Sequence, residues 1–206
     1  MRILDERNRR LEIWICCLAF LLAGCKNPFA TREPEPPSAS RAQWTPPYQP
    51  EDVLSNLRTA LTDRSIVNYV RCLSDSLLTG KIFRFEPEPA AASAFPGVFE
   101  RWGLEEERHF AEQLFQAVPK DSVLRLQWSR IGEQVGEGGE RLLVTEYLLE
   151  AGFPQGFSSA PRRCQGRAEF WLVRDPSTSY WYIWRWTDRA TVDAPAWSVL
   201  KAVLGR

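Results

Sequence analysis

Residues 166–188 read GRAEFWLVRDPSTSYWYIWRWTD. Two runs dense in aromatic and aliphatic residues, 166–174 and 180–188, flank Asp175-Pro176-Ser177-Thr178-Ser179, a cluster of turn formers. The pattern predicts two antiparallel strands joined by a short turn. Side chains alternate faces along a strand, so Phe170 and Leu172 share one side, as do Trp181 and Ile183. The same parity sends Arg185 to that side. It sends Trp171, Val173, Tyr182, Trp184 and Trp186 to the other. Both faces of this strand pair are therefore apolar, whereas a sheet with one wet face alternates polar residues outward.

Working outward, 122–130 and 141–150 read as two further strands, with Leu124, Leu126 and Trp128 on one face. Gly132, Gly136, Gly138 and Gly139 lie between them. No helix start or lysine follows those glycines, so they form a hairpin loop rather than a phosphate cradle. Upstream, Ile82 to Glu86 is a short strand carrying Phe83 and Phe85, stopped by Pro87 and Pro89, with a loop running to Pro96. Helices are predicted over about 51–62, 66–73 and 103–118 from apolar residues at helical spacing. A closing helix carries Trp197, Leu200 and Leu204. Helix, helix, strand, helix and then four strands make an α+β pattern: one curved antiparallel sheet with helices on its concave face. Phe83, Phe85, Trp128, Phe170 and Trp181 are expected to line the space beneath the helices.

The N-terminal fifty residues carry a different message. Arg2, Arg7, Arg9 and Arg10 precede Ile13 to Gly24, which holds no charge, so a basic region leads into an apolar core. Twelve residues are too few to cross a hydrocarbon layer about 30 Å thick. The run closes on Leu22-Ala23-Gly24-Cys25, which resembles the lipobox of bacterial lipoproteins. That resemblance implies that 1–24 is a signal peptide and that Cys25 becomes the lipidated first residue, tethered to a membrane of the bacterial cell envelope. More than one acyl chain holds a protein stably at a bilayer. Seven of the fifteen prolines fall between 26 and 50, so 25–47 reads as a stiff linker spanning up to about 75 Å, and the folded domain as 48–206.

Several function classes recede on composition. The 206 residues carry 26 Lys+Arg and 26 Asp+Glu; after loss of 1–24 the counts are 22 and 23. No basic field exists to hold a nucleic-acid backbone. With one His and five Cys, no spacing fits a zinc site. His109 shares a helix side with Glu105 and Glu112, opposite the apolar stripe Leu104, Ala111, Leu114, Phe115 and Val118, and reads as a solvated residue with neither metal nor cofactor. Cys72 and Cys164 are left as either a disulfide or two buried thiols.

Six stretches, YQPEDVLSNL (48–57), YVRCLSD (69–75), WGLEEE (102–107), GRAEFWLVRD (166–175), WYIWRWTD (181–188) and WSVLK (197–201), resemble in order and spacing the nuclear-transport-factor-2-like (SnoaL-like) cone fold, in a bacterial lipoprotein branch. The resemblance implies two alternatives. One is a non-catalytic binding or assembly module, with Trp171, Tyr182, Trp184 and Trp186 forming an interface on the convex face, to a second copy or to an envelope protein. The other is an isomerase, dehydratase or hydrolase with Tyr69 as proton donor, Glu146 as base and Arg185 as anion clamp in the cone. No nucleic-acid partner is expected under either.

Overall fold

The computed structural model describes residues 43–157, 159–191 and 194–205. The expected signal peptide and the expected lipidation site, Cys25, lie outside the described residues. None of the described helices is long and apolar enough to cross a membrane.

Chain folding starts earlier than Tyr48. Asn56 exchanges hydrogen bonds with Thr45, accepting from its N–H at 3.0 Å and donating to its carbonyl at 2.6 Å. The Pro47 carbonyl accepts from Trp181 N at 2.9 Å. Residues 44–47, assigned to the linker on their proline content, thus belong to the domain, because proline keeps its carbonyl acceptor while losing its donor.

Helix α1 (Pro50–Thr62) starts with proline in its first turn and with the Asp52 carboxylate accepting from Gln49 N at 2.9 Å. It buries Val53, Leu54, Leu57, Ala60 and Leu61. After a left-handed Arg64 (φ 52°), α2 (Ile66–Arg71) follows. The Arg64 guanidinium donates to the carbonyls of Pro119 and Ser122, both at 2.8 Å, and fixes this corner. Helices α3 (Ser76–Thr79) and α4 (Pro89–Ala94) flank strand β1 (Arg84–Glu86). The α4 stretch was expected to be loop, yet Pro89 occupies the first helical turn and Glu88 caps it, its carboxylate accepting from the N–H of Ala90 and Ala91. Helix α5 (Leu104–Ala117) buries Phe110, Ala111 and Leu114 together with Glu107.

Strands β2 (Leu124–Val135), β3 (Arg141–Ala151), β4 (Arg163–Arg174) and β5 (Trp181–Ala190) form an antiparallel run, closed by helix α6 (Trp197–Leu204). The sheet order is β1-β5-β4-β3-β2. Strand β1 pairs with β5 in parallel, so the sheet is mixed rather than wholly antiparallel. Helices α1, α2 and α5 lie across the concave side, where their apolar stripes meet Leu124, Leu126, Leu143, Leu149, Phe170, Leu172 and Ile183 in one buried core.

One irregularity controls both faces. Leu172 pairs with Ile183 but Trp171 pairs with Arg185, leaving Trp184 as an extra residue in β5. Such a bulge flips the parity of everything beyond it. Trp186, expected on the convex face, therefore lies opposite Phe170 in the core and is fully buried. Arg185, expected inside, stands on the convex face with its guanidinium 4.7 Å from the Trp171 ring centre. Asp188 likewise turns inward and is fully buried.

Candidate functional site

Two polar networks occupy the interior. In the first, Glu107 of α5 accepts from Tyr69 Oη at 2.7 Å and from Trp102 Nε1 at 2.7 Å, and Lys201 of α6 donates to both of its carboxylate oxygens. Tyr69, Glu107 and Lys201 have no solvent exposure at all. The ammonium also lies 3.9 Å from the ring centres of Phe85 and Trp186, with Phe110, Trp197 and Trp102 within 5.9 Å. This is an aromatic cage around a cation. Burial pushes the Lys201 ammonium down to about 8, against the opposing pull of Glu107. Burial first, then the Glu107 charge, drives the Tyr69 hydroxyl well above its ordinary value.

In the second network, Asp188 of β5 accepts from Tyr147 Oη at 2.8 Å, from Ser198 N at 2.7 Å and from Ser198 Oγ at 2.6 Å. Tyr147 Oη in turn accepts from Trp197 N at 2.7 Å, and Ser198 Oγ from Glu88 N at 2.9 Å. Burial raises the Asp188 carboxyl, and these donors pull it back down. Both networks hold α6 against the open end of the sheet.

These groups could serve acid–base chemistry, but each is already bound to another, and the space around them is filled. Phe170 and Trp186 have ring centres 4.9 Å apart, Trp186 and Trp197 4.7 Å, Phe85 and Trp186 5.7 Å. Phe83, Phe85, Phe170 and Trp181 are buried and Trp128 is partly so. The five residues expected to line a pocket do face the concave side, where they pack as core. The proposed triad does not assemble: Tyr69 is in the core, Glu146 is exposed on the opposite side of the sheet between Ser129 and Arg167, and Arg185 is convex. Glu146 borders a surface groove of about 330 Å³ with Gln127, Ser129 and Gln165.

Sequence reading missed Glu107, Lys201, Asp188 and Tyr147. Two had a visible signal. Lys201 falls on the stripe Trp197, Leu200, Leu204, and Glu107 falls between Leu104 and Ala111 on the buried face of its helix. Asp188 had none, because the bulge reverses its side. His109 is exposed on the outer side of α5. Cys72 and Cys164 are free and buried, and burial raises both thiols.

The convex face is more selective than an aromatic patch. Tyr182 and Trp186 are both buried, which leaves Trp171 and Trp184 half-buried in a groove of about 530 Å³. Its floor is a stack: the Arg185 guanidinium lies 4.7 Å from the Trp171 ring and 5.0 Å from the Trp184 ring, and the Lys81 ammonium 4.1 Å from Trp184. The β2–β3 hairpin forms a wall through Val135, Gly136, Glu137 and Glu140, the last paired with Lys81. A Cβ at Gly136 would sit 3.1 Å from the Trp171 ring, so a larger residue there requires the ring to give by a few tenths of an ångström. Trp184 Nε1 and Arg185 Nε are buried atoms without an acceptor. An orphan buried donor costs about 1–3 kcal/mol. Trp186 and Trp197 Nε1 are orphaned too, but in the sealed interior, where their rings meet edge to face at 87°.

The chain is similar in structure to an NTF-2 like protein of unknown function from Shewanella oneidensis MR-1, at 12% identity over 68% of this chain and 95% of that one, with a TM-score of 0.47. It is similar to a conserved protein from Planctomyces limnophilus DSM 3776, at 17% identity over 68% and 92%, TM-score 0.49. A ketosteroid isomerase-like protein from Erwinia carotovora atroseptica SCRI1043 is similar at 11% identity over 68% and 94%, TM-score 0.44. No family model matches the chain, and no curated protein does. The fold is α+β, a five-stranded sheet with helices across its concave side.

Proposed function

We propose that this chain is a lipid-anchored protein of the bacterial cell envelope whose NTF2-like domain is a non-catalytic binding module working through the convex sheet face. One contrast carries the reading. Inside the cone, Tyr69, Glu107 and Lys201, and Asp188 and Tyr147, are bonded to one another amid packed rings, whereas the convex groove is open and lined by half-buried Trp171, Trp184 and Arg185. A catalytic site needs room for substrate beside its acid and base. The residues named for an isomerase or hydrolase stand on different sides of the sheet, which removes the geometry that reading depended on.

Anchoring rests on the order of basic residues, apolar run, small residues and Cys25. Cys25→Ala abolishes incorporation of labelled palmitate in cells; continued labelling refutes the anchor. The working face is tested with a photo-crosslinking amino acid at Val135 on the groove wall or at Val67, both exposed. Adducts of defined mass form from position 135 and are absent from position 67. A mass of twice the chain identifies a second copy as the occupant, as a homodimer through the convex sheet requires. Adducts from 67 alone overturn the assignment of the face.

A further inference from the structure

We propose that the outer edge of β2, a surface separate from the convex groove, is the joint for a second copy of this chain, paired antiparallel about a two-fold axis at Gln127. Strand β2 ends the sheet order, so one side of its backbone has no neighbouring strand. Which residues face that side follows from the next strand. Ala151 N donates to Arg162 O at 2.9 Å, toward β4, whereas Gly152 N donates to Val123 O at 2.7 Å, toward β2. Leu124, which pairs with Ala151, therefore turns its N–H and C=O outward, and Leu126, Trp128 and Arg130 follow by alternation. Among the described residues no backbone group pairs with these four on that side. The opposite edge of the sheet is closed: β1 has three residues, and Phe85 N donates to Trp102 O at 3.1 Å.

An open edge pairs with another strand unless proline, lysine or a bulge blunts it. Residues 124–135 contain neither proline nor lysine. The bulge at Ile131 limits the regular run to 124–130, whose middle residue is Gln127. A two-fold axis there sets Leu126 opposite Trp128 and Leu124 opposite Arg130, so the outward groups of one copy meet those of the other along the whole run. The edge is complementary to itself. Val123 and Ile131 are 55% and 47% exposed and stand equally far from Gln127 on either side, so each meets the other across the axis. Arg125 is held by Glu150 at 2.7 Å, and Arg130 by Glu51 and by Glu133 at 3.2 Å, so two identical edges meet without unpaired charge. Arg125 comes opposite Ser129, and Gln127 opposite Gln127, whose amides both donate and accept.

The test is sedimentation of the full-length chain in density-matched detergent micelles from about 1 to 100 μM, the range of a modest interface. The parent is expected to pass from one chain to two per particle. Val123→Asp with Ile131→Asp sets acid against acid on both sides of the axis and weakens pairing about 10-fold or more. Val123→Lys with Ile131→Glu sets opposite charges across the axis and stays within about 3-fold of the parent. Both positions are exposed, so the core is untouched. On oxidation Gln127→Cys links two chains, because residues facing each other in a non-hydrogen-bonded pair stand about 4.5 Å apart, and Ser129→Cys does not. A chain that stays single at about 100 μM, a double-Asp variant that pairs as tightly as the parent, or a Lys–Glu variant that fails to pair overturns the joint. Adducts from position 135 that persist in the double-Asp variant belong to the convex face, so the two surfaces stand or fall separately.

Discussion

Lys201→Met lowers the unfolding free energy by about 3–5 kcal/mol, the expected cost of stranding a buried carboxylate without its counter-ion. Glu107 is fully buried and its remaining donors, Tyr69 Oη and Trp102 Nε1, are neutral. Methionine fills the stem of the lysine in the cage of Phe85, Trp186 and Phe110, so lost packing contributes little. The double variant Glu107→Gln, Lys201→Met restores most of the stability, because glutamine still accepts from Tyr69 or Trp102 and no charge is left behind. Urea unfolding with an unchanged m-value measures both, and a loss below about 1 kcal/mol in the single variant contradicts the argument. The pair also sets a pH dependence. Between about 8 and the ordinary lysine value of 10.5 the unfolded chain keeps a proton that folded Lys201 releases, so stability rises with pH through that window. Tyr69 and Tyr147 work the other way. Their hydroxyls are raised by burial, and above about pH 10 their ionisation in the unfolded chain withdraws stability. Lys201→Met removes the rise and leaves the fall.

Inserting one alanine between Arg185 and Trp186 abolishes folding, whereas Trp184→Ala leaves a cooperative thermal transition. The insertion adds a second odd residue to β5 and so turns Trp186 and Asp188 away from the core. Asp188 would leave Tyr147 and Ser198, and Trp186 would vacate its place against Phe170 and Trp197. Each loss is of order 2–5 kcal/mol, against a total of 5–15 kcal/mol for a typical domain. Trp184→Ala removes only a half-buried ring from the convex stack. An insertion variant with a native-like calorimetric transition would show that the strand absorbs a second bulge.

The bulge at Trp184 also marks where the sequence stops being legible. Periodicity identified the helices at 50–62 and 104–117 and the four long strands to within a few residues, because burial of one face leaves a repeat of 3.6 or 2. The concave set Phe83, Phe85, Trp128, Phe170 and Trp181 followed from the same rule. A single inserted residue leaves no trace in a strand that is apolar on both faces, so simple alternation puts Arg185 and Trp186 each on the wrong side. The direction of β1 was equally hidden, since parallel pairing to β5 depends on the route of the chain and not on Arg84-Phe85-Glu86. Buried charge was legible only in part. Glu107 lies on the apolar stripe of its helix while its neighbours Glu105 and Glu106 are exposed, but nothing local names its partner ninety-four residues on.

The position of that partner in chain order has a consequence for biogenesis. Helix α6 emerges after every strand it closes, and it brings Lys201 to Glu107, Ser198 to Asp188 and Trp197 to the rings of Trp186 and Tyr147. A nascent chain that has not yet delivered Trp197 holds an uncompensated carboxylate in a gap among aromatic side chains, and such a state opens readily. Closure of the cone thus waits for α6, and a protease can distinguish a chain that has docked this helix from one that has not without any dedicated tag.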